Sequence, residues 1–181
     1  RSCGLQMIEV PKAELTVVPC LGVPITACTP TEAAGEVVRL ATTDLDYGVD
    51  IHLCNAYTLA LADKDHGYKA MLQKAAINFP DGKSVVWANK LRHRRSTIPN
   101  DRVYGPDLFL DVFGKGQDLR LRHYLLGSTP QVLDALETEL RRRFPKAQIV
   151  GAESPPFRTL TEQEIDEQTA RLVESTAQVI W

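Results

Sequence analysis

Short apolar runs of strand-like composition alternate along the chain with segments whose apolar residues recur every three to four positions. Leu21 to Ala27 is the first clear strand, and Leu15, Val17 and Val18 suggest an edge strand before it. Thr29-Pro30-Thr31-Glu32 then opens a helix. The threonine hydroxyl can cap free N–H groups of the first turn, proline suits the first helical position, and Glu32 complements the positive helix end. The apolar stripe of this helix is Ala33, Ala34, Val37, Val38 and Ala41. Gly48 releases the chain into a strand over Val49 to Cys54, which stops at Asn55 before a helix from Ala56 to Ala62. A second helix, from Asp65 to Ala75, leads to the short strand Ala76-Ile77-Asn78-Phe79, which ends abruptly at Pro80-Asp81-Gly82. Another helix continues through Val85, Val86, Trp87, Ala88 and Leu91.

Further on, Pro106 starts a helix over Leu108 to Phe113, and Arg120 to Leu126 is a strand closed by Gly127-Ser128. Thr129-Pro130 repeats the earlier helix opening ahead of Val132, Leu133, Leu136, Leu140 and Phe144. Gln148 to Gly151 is strand-like, Thr161 to Ala177 is a polar helix, and Val179-Ile180-Trp181 reads as one more strand. Such alternation predicts an α/β fold with a largely parallel, Rossmann-like sheet flanked by helices. The expected organisation is a weakly defined N-terminal segment over residues 1–20 and a single α/β domain over residues 21–181. Parallel sheets take ligands at the carboxyl ends of their strands. That rule singles out Asn55, Asp81, Gly127-Ser128 and Gly151-Ala152-Glu153.

Composition narrows the chemistry. A chain of 181 residues, 44% hydrophobic and 24% charged, has the balance of a globular protein able to enclose a site. Its formal net charge of −2 argues against nucleic acid as a partner, because such domains usually carry a basic excess. No apolar run approaches the roughly 20 residues of a membrane-spanning helix. Cys3, Cys20, Cys28 and Cys54 show no C-x-x-C pairing and read as buried or free thiols in a reducing compartment. His52, His66, His93 and His123 lack ligand spacing, and no acidic motif suggests a magnesium site, so neither metal nor cofactor is expected. The absence of G-x-G-x-x-G, G-x-x-x-x-G-K-[ST] and G-x-S-x-G weakens nicotinamide, P-loop and serine-nucleophile chemistry.

Each candidate has a plain structural alternative. Asp81 would project a carboxylate at the ligand edge of the sheet while Gly82 lets the backbone turn, but Pro-Asp-Gly is also ordinary turn chemistry. Asn55 could hydrogen-bond sugar hydroxyls or simply cap the next helix. Arg102, just before Tyr104-Gly105, could grip a phosphate or form a surface ion pair with Asp101 or Asp107. The run Lys90-Leu91-Arg92-His93-Arg94-Arg95 reads as a solvated helix end, with attraction to a diphosphate or to anionic lipid as the functional alternative. Arg141-Arg142-Arg143 favours the plain reading more strongly.

The ordered set Asn55-Ala56, Phe79-Pro80-Asp81-Gly82 and Arg102-Val103-Tyr104-Gly105-Pro106-Asp107-Leu108-Phe109 resembles the WecG/TagA/CpsF glycosyltransferase family (glycosyltransferase family 26). Tyr124-Leu125-Leu126-Gly127-Ser128 and Ala147-Gln148-Ile149-Val150-Gly151 continue the likeness, which covers roughly Val49 to Trp181. The resemblance implies an inverting, metal-independent transfer of a sugar such as N-acetylmannosamine from a UDP-sugar donor to a polyprenyl-diphosphate-linked sugar acceptor. It implies Asp81 as catalytic base, Asn55 as a sugar-binding residue and Arg102 as the cation facing the departing diphosphate. Gly82, Gly127 and Ser128 complete the expected substrate-binding set. A non-catalytic nucleotide- or sugar-binding module is the alternative, and a nucleotide-sugar hydrolase or epimerase ranks below it.

Two departures stand out. Leu53 replaces a threonine that several relatives carry two positions before the asparagine, and Lys83-Ser84 replace a small or apolar pair after Asp-Gly, so donor choice could differ. Beginning at Arg1 and ending within an apolar run, the chain reads as cut at both ends. The family's nucleotide-contacting loop and its membrane-docking C-terminal appendage are then expected to lie beyond Trp181. On that expectation the complete protein is cytoplasmic and peripheral at the inner face of the cell membrane, this piece alone turns over poorly, and a homo-oligomer stays open.

Overall fold

The computed structural model describes residues 15–45, 47–92 and 101–181. Its elements in chain order are β1 (Thr16–Cys20), β2 (Val23–Ala27), α1 (Pro30–Thr42), β3 (Ile51–Cys54), α2 (Ala56–Lys64), α3 (His66–Lys74), β4 (Ile77–Pro80) and α4 (Lys83–Arg92). They continue with α5 (Gly105–Gly116), a 3-10 turn (Gln117–Leu119), β5 (Arg122–Leu126), α6 (Pro130–Arg143), β6 (Gln148–Glu153), α7 (Glu162–Glu174) and β7 (Val179–Ile180). The α/β class is as the alternation predicts, with small parallel sheets flanked by helices. The chain divides into two compact units, one built from residues up to Glu36 and Leu45–Leu108, the other from Val37–Asp44 and Phe109–Trp181.

In the first unit β1 and β2 form an antiparallel hairpin in which Val18 faces Ile25. Leu21 sits in its turn and not in the strand that the apolar run suggests. Both Leu21 (φ 51°) and Gly22 (φ 81°) are left-handed, the conformation that tight hairpin turns require. β3 and β4 pair in parallel from Ile51 opposite Ile77 to Cys54 opposite Pro80, and β2 runs alongside β4. Cys20, Val23, Ile25, Cys54, Leu59, Ala62, Leu72 and Val85 make the core. Every residue of β4 is buried, including Asn78, whose amide donates to the Leu72 carbonyl at 2.7 Å. That bond removes the main cost of a polar side chain there.

Helix starts obey the capping chemistry written in the sequence. The Glu32 carboxylate accepts from the Thr29 backbone N–H at 2.7 Å and from the Thr29 hydroxyl at 2.9 Å, bonds that hold it below its ordinary range, and the Glu32 backbone N–H donates to the same hydroxyl oxygen at 3.2 Å. Thr129 caps α6 ahead of Pro130, and Thr161 and Glu164 form a full capping box on α7.

The second unit holds a three-stranded parallel sheet in the order β6-β5-β7. Phe113, Leu125, Leu133, Leu140 and Phe144 fill its core, with Trp181 packed against them. The register slips between His123 and Tyr124, where Ile149 and Gly151 are the successive partners. A side chain at Gly151 would start 2.3 Å from the Tyr124 ring, so glycine is what lets the tyrosine lie across β6. Gly151, Ala152 and Glu153 lie within β6 and not after it, which corrects the sequence expectation. Glu153 accepts from Tyr124 Oη, from Gln168 and from Nε and Nη2 of Arg171. Chiefly through Arg171, its carboxyl is held down to about 2.

His123 is fully buried and stacks on Phe113 at 3.9 Å between ring centroids. Its Nδ1 accepts from the Trp181 indole at 3.2 Å, which leaves the neutral ring's proton on Nε2, where it has no partner among the described residues. Burial pushes the imidazole down to about 4.

This packing is testable at two positions. Gly151→Ala should cost about 1–3 kcal/mol in urea melts, because the Tyr124 ring must move from its bond to Glu153; an unchanged midpoint would show that the ring has room. The unfolded chain protonates His123 near the ordinary 6.5 and the folded one only near 4, so acid favours unfolding. The His123 contribution is complete above pH 6.5 and about 3 kcal/mol of it is lost as the pH falls to about 4. The stability difference between neutral pH and pH 4.5 should therefore shrink in His123→Phe, and an equal difference would exclude this origin.

Candidate functional site

The parallel register that sets Cys54 opposite Pro80 also brings together the residues after these two strands. Asp81 N–H donates to the Cys54 carbonyl at 2.9 Å, closing the ladder one residue beyond the strands. Gly82 (φ 150°) turns the chain into α4, and a Cβ there would lie 3.7 Å from that of Asn55. Asn55, Asp81 and Gly82 are therefore neighbours at the carboxyl edge of β3 and β4.

Asn55 does cap α2, as its plain alternative requires. Its Oδ1 accepts from Thr58 N–H at 3.0 Å and from the Thr58 hydroxyl at 3.2 Å. The cap uses the oxygen alone, and among the described residues the amide nitrogen makes no hydrogen bond. Capping and ligand donation are thus compatible in one exposed side chain.

Arg102 reaches the same place from the segment that precedes α5. Val103 is buried and its N–H donates to the Pro80 carbonyl at 2.9 Å, while Asp101 N–H donates to the Cys28 carbonyl at 3.0 Å. With the backbone pinned on both sides, the Arg102 guanidinium lies 3.4 Å from Asp81 Oδ1 and 4.1 Å above the centre of the Tyr104 ring. The pair is loose, with side chains 40% and 21% exposed. Its ion pair is with Asp81, not with Asp101 or Asp107 as the sequence alternative had it; Asp101 faces Lys90 at 4.0 Å. A half-buried carboxylate, an amide donor and a guanidinium held weakly enough to turn towards an incoming anion are the chemical means of this edge.

The structure thus brings Asn55, Asp81, Gly82 and Arg102 together in the first unit. Gly127 and Ser128 belong to the second, where they leave β5 through two left-handed residues (φ 124° and 64°). Gly127 N–H donates to the Glu153 carbonyl at 2.9 Å, and the Ser128 carbonyl accepts from the Ser154 hydroxyl at 2.7 Å. The Tyr104 ring under the Arg102 guanidinium is a contact the sequence reading does not contain, and its one local signal is that an aromatic residue stands two positions after an arginine. The anchoring of Val103 had no local signal, since its partner is 23 residues away. Arg141 and Arg142 pair with Glu137 and Glu139 on their own helix, the plain reading of that run. Residues 93–95 of the other basic run lie outside the described residues, as do Cys3 and His93.

Over 108 residues the chain is 26% identical to the N-acetylglucosaminyldiphosphoundecaprenol N-acetyl-beta-D-mannosaminyltransferase of Bacillus subtilis (strain 168), covering 60% of this chain and 41% of that one. It is 30% identical over 122 residues to the protein of the same name from Bacillus spizizenii (strain ATCC 23059 / NRRL B-14472 / W23), covering 66% of this chain and 46% of the relative. The matched regions span less than half the length of either relative. A sequence model of the Glycosyl transferase WecG/TagA/CpsF family matches residues 18–181, and the chain belongs to that family.

Proposed function

We propose that the protein is a glycosyltransferase of cell-surface polymer synthesis. In this reading it moves an N-acetylmannosamine-like sugar from a UDP-sugar to a polyprenyl-diphosphate-linked sugar, with inversion and without a metal ion. Residues 21–181 are then its catalytic domain. The observation that carries the reading is the convergence of Asn55, Asp81, Gly82 and Arg102 on one strand edge in a chain of this family.

Asp81 is the base. As an acceptor hydroxyl oxygen attacks the anomeric carbon, its proton passes to the Asp81 carboxylate and the bond to UDP breaks on the opposite face, which inverts the centre. Charge then grows on the leaving diphosphate. Arg102 can meet it at small cost, because a loose, partly exposed ion pair at 3.4 Å is worth only about 1 kcal/mol. The Asn55 amide nitrogen donates to a sugar hydroxyl while its oxygen keeps α2 capped. Gly82 leaves the approach to Asp81 free of a side chain, and Gly127 and Ser128 of the second unit are the remaining substrate-binding residues of this reading. A lipid-diphosphate acceptor would place the enzyme at the inner face of the cell membrane.

In the full-length protein, Asp81→Asn should lower turnover by about 10²- to 10⁴-fold with an unchanged circular dichroism spectrum. Near-normal transfer would remove Asp81 as the base. Arg102→Gln should lower kcat by about 10²-fold or more while preserving the fold, since it acts on charge that develops during reaction; a change confined to KM would assign it to ground-state binding. Binding of UDP-sugar without release of UDP, in the presence of acceptor, would favour the non-catalytic module instead.

A further inference from the structure

α4 buries Val85 and Val86 and packs against β1, yet it leaves Trp87 73% exposed. Lys83 and Lys90, four residues before and three after it, are exposed too, and these spacings place all three on neighbouring positions of the helix surface. The helix carries Lys83, Lys90 and Arg92 and no acidic residue, within a chain of formal net charge −2. The contact of Lys90 with Asp101, at 4.0 Å between side chains that are each 59% exposed, is too loose and too hydrated to cancel its charge.

An indole flanked by long-stemmed ammonium groups matches the boundary between acyl chains and headgroups. The ring enters the interfacial layer, its N–H stays hydrogen-bonded, and lysine stems lie along the apolar zone while their heads reach phosphates. We propose that the Lys83–Trp87–Lys90 face of α4 docks on an anionic phospholipid surface. Charge selects this occupant over a second copy of the chain, because a two-fold contact through the same face would set lysines against lysines. Among the described residues no helix is long and apolar enough to cross a membrane, so contact through α4 is interfacial. Lys83 is two residues from Asp81, so docking sets the carboxylate edge of β3 and β4 at headgroup level. For that consequence the inference rests on the proposed lipid-linked acceptor.

Binding to vesicles tests the surface without turnover, so its failure is distinct from failure of the proposed reaction. The chain has two tryptophans, and Trp181 packs in the core of the second unit, which makes Trp87 the reporter. Phosphatidylcholine vesicles containing phosphatidylglycerol should bind the protein, in a manner weakened by salt. They should shift its emission to the blue and permit quenching by lipids brominated in the acyl chain. Trp87→Phe should abolish the shift, and Lys83→Gln should lower partitioning about fivefold. Three results would each overturn the proposal: no association with anionic vesicles, equal association with pure phosphatidylcholine, or binding that leaves Trp87 emission unmoved. Self-association that Trp87→Ala abolishes would assign the face to a second copy and overturn it as well.

Discussion

The hydrogen bond from Asp81 N–H to the Cys54 carbonyl continues the β3–β4 ladder one step past its last paired residues. Because the strands are parallel and in register, their ends coincide, and the residues just beyond one strand become neighbours of those just beyond the other. Asn55 and Gly82 meet for that reason. β4 is buried on both faces, so a one-residue slip would exchange the side chains packed on its two sides and displace Asn78 from its bond to the Leu72 carbonyl, which makes the register costly to change. The Pro80 carbonyl, bonded to Val103 N–H, then draws Arg102 to the same edge.

The second unit solves a different problem, that of holding polar groups inside a sheet. Glu153 is satisfied by Tyr124, Gln168 and Arg171, so a partly buried carboxylate stays ionised. His123 takes the opposite course and stays neutral, with one nitrogen bonded to Trp181 and the other unpartnered among the described residues. The cost of that orphaned donor is met by stacking on Phe113 and by the apolar residues around it. The bond from Tyr124 to Glu153 depends in turn on the missing side chain of Gly151, which leaves room for the tyrosine ring.

At the candidate edge the bonds that hold the fold leave polar side-chain atoms over. Asn55 caps α2 through its side-chain oxygen, and among the described residues its amide nitrogen makes no hydrogen bond. Arg102 is positioned by backbone bonds on either side of it, and among the described residues its guanidinium is held by a loose carboxylate contact and by the face of Tyr104. A cation kept in place by its backbone can turn its charge outward without unfolding the loop.

Local residue patterns were enough to define most of the elements and their ends. Thr29, Asp65, Thr129 and Thr161 mark helix starts through bonds spanning three residues, and Gly82 marks a turn that needs an unusual φ. Such signals act over a few residues, so they are legible without a fold. The α/β class came from their alternation, and Asp81 and Asn55 came from their places after strands. It took the folded chain to establish that Arg102 faces Asp81, that Tyr104 supports it, that Glu153 lies within a strand, and that Gly127 and Ser128 fall in a different unit. Those outcomes rest on pairings between residues far apart in the chain, whose energies depend on strand register and burial, and no local pattern of residue types encodes either.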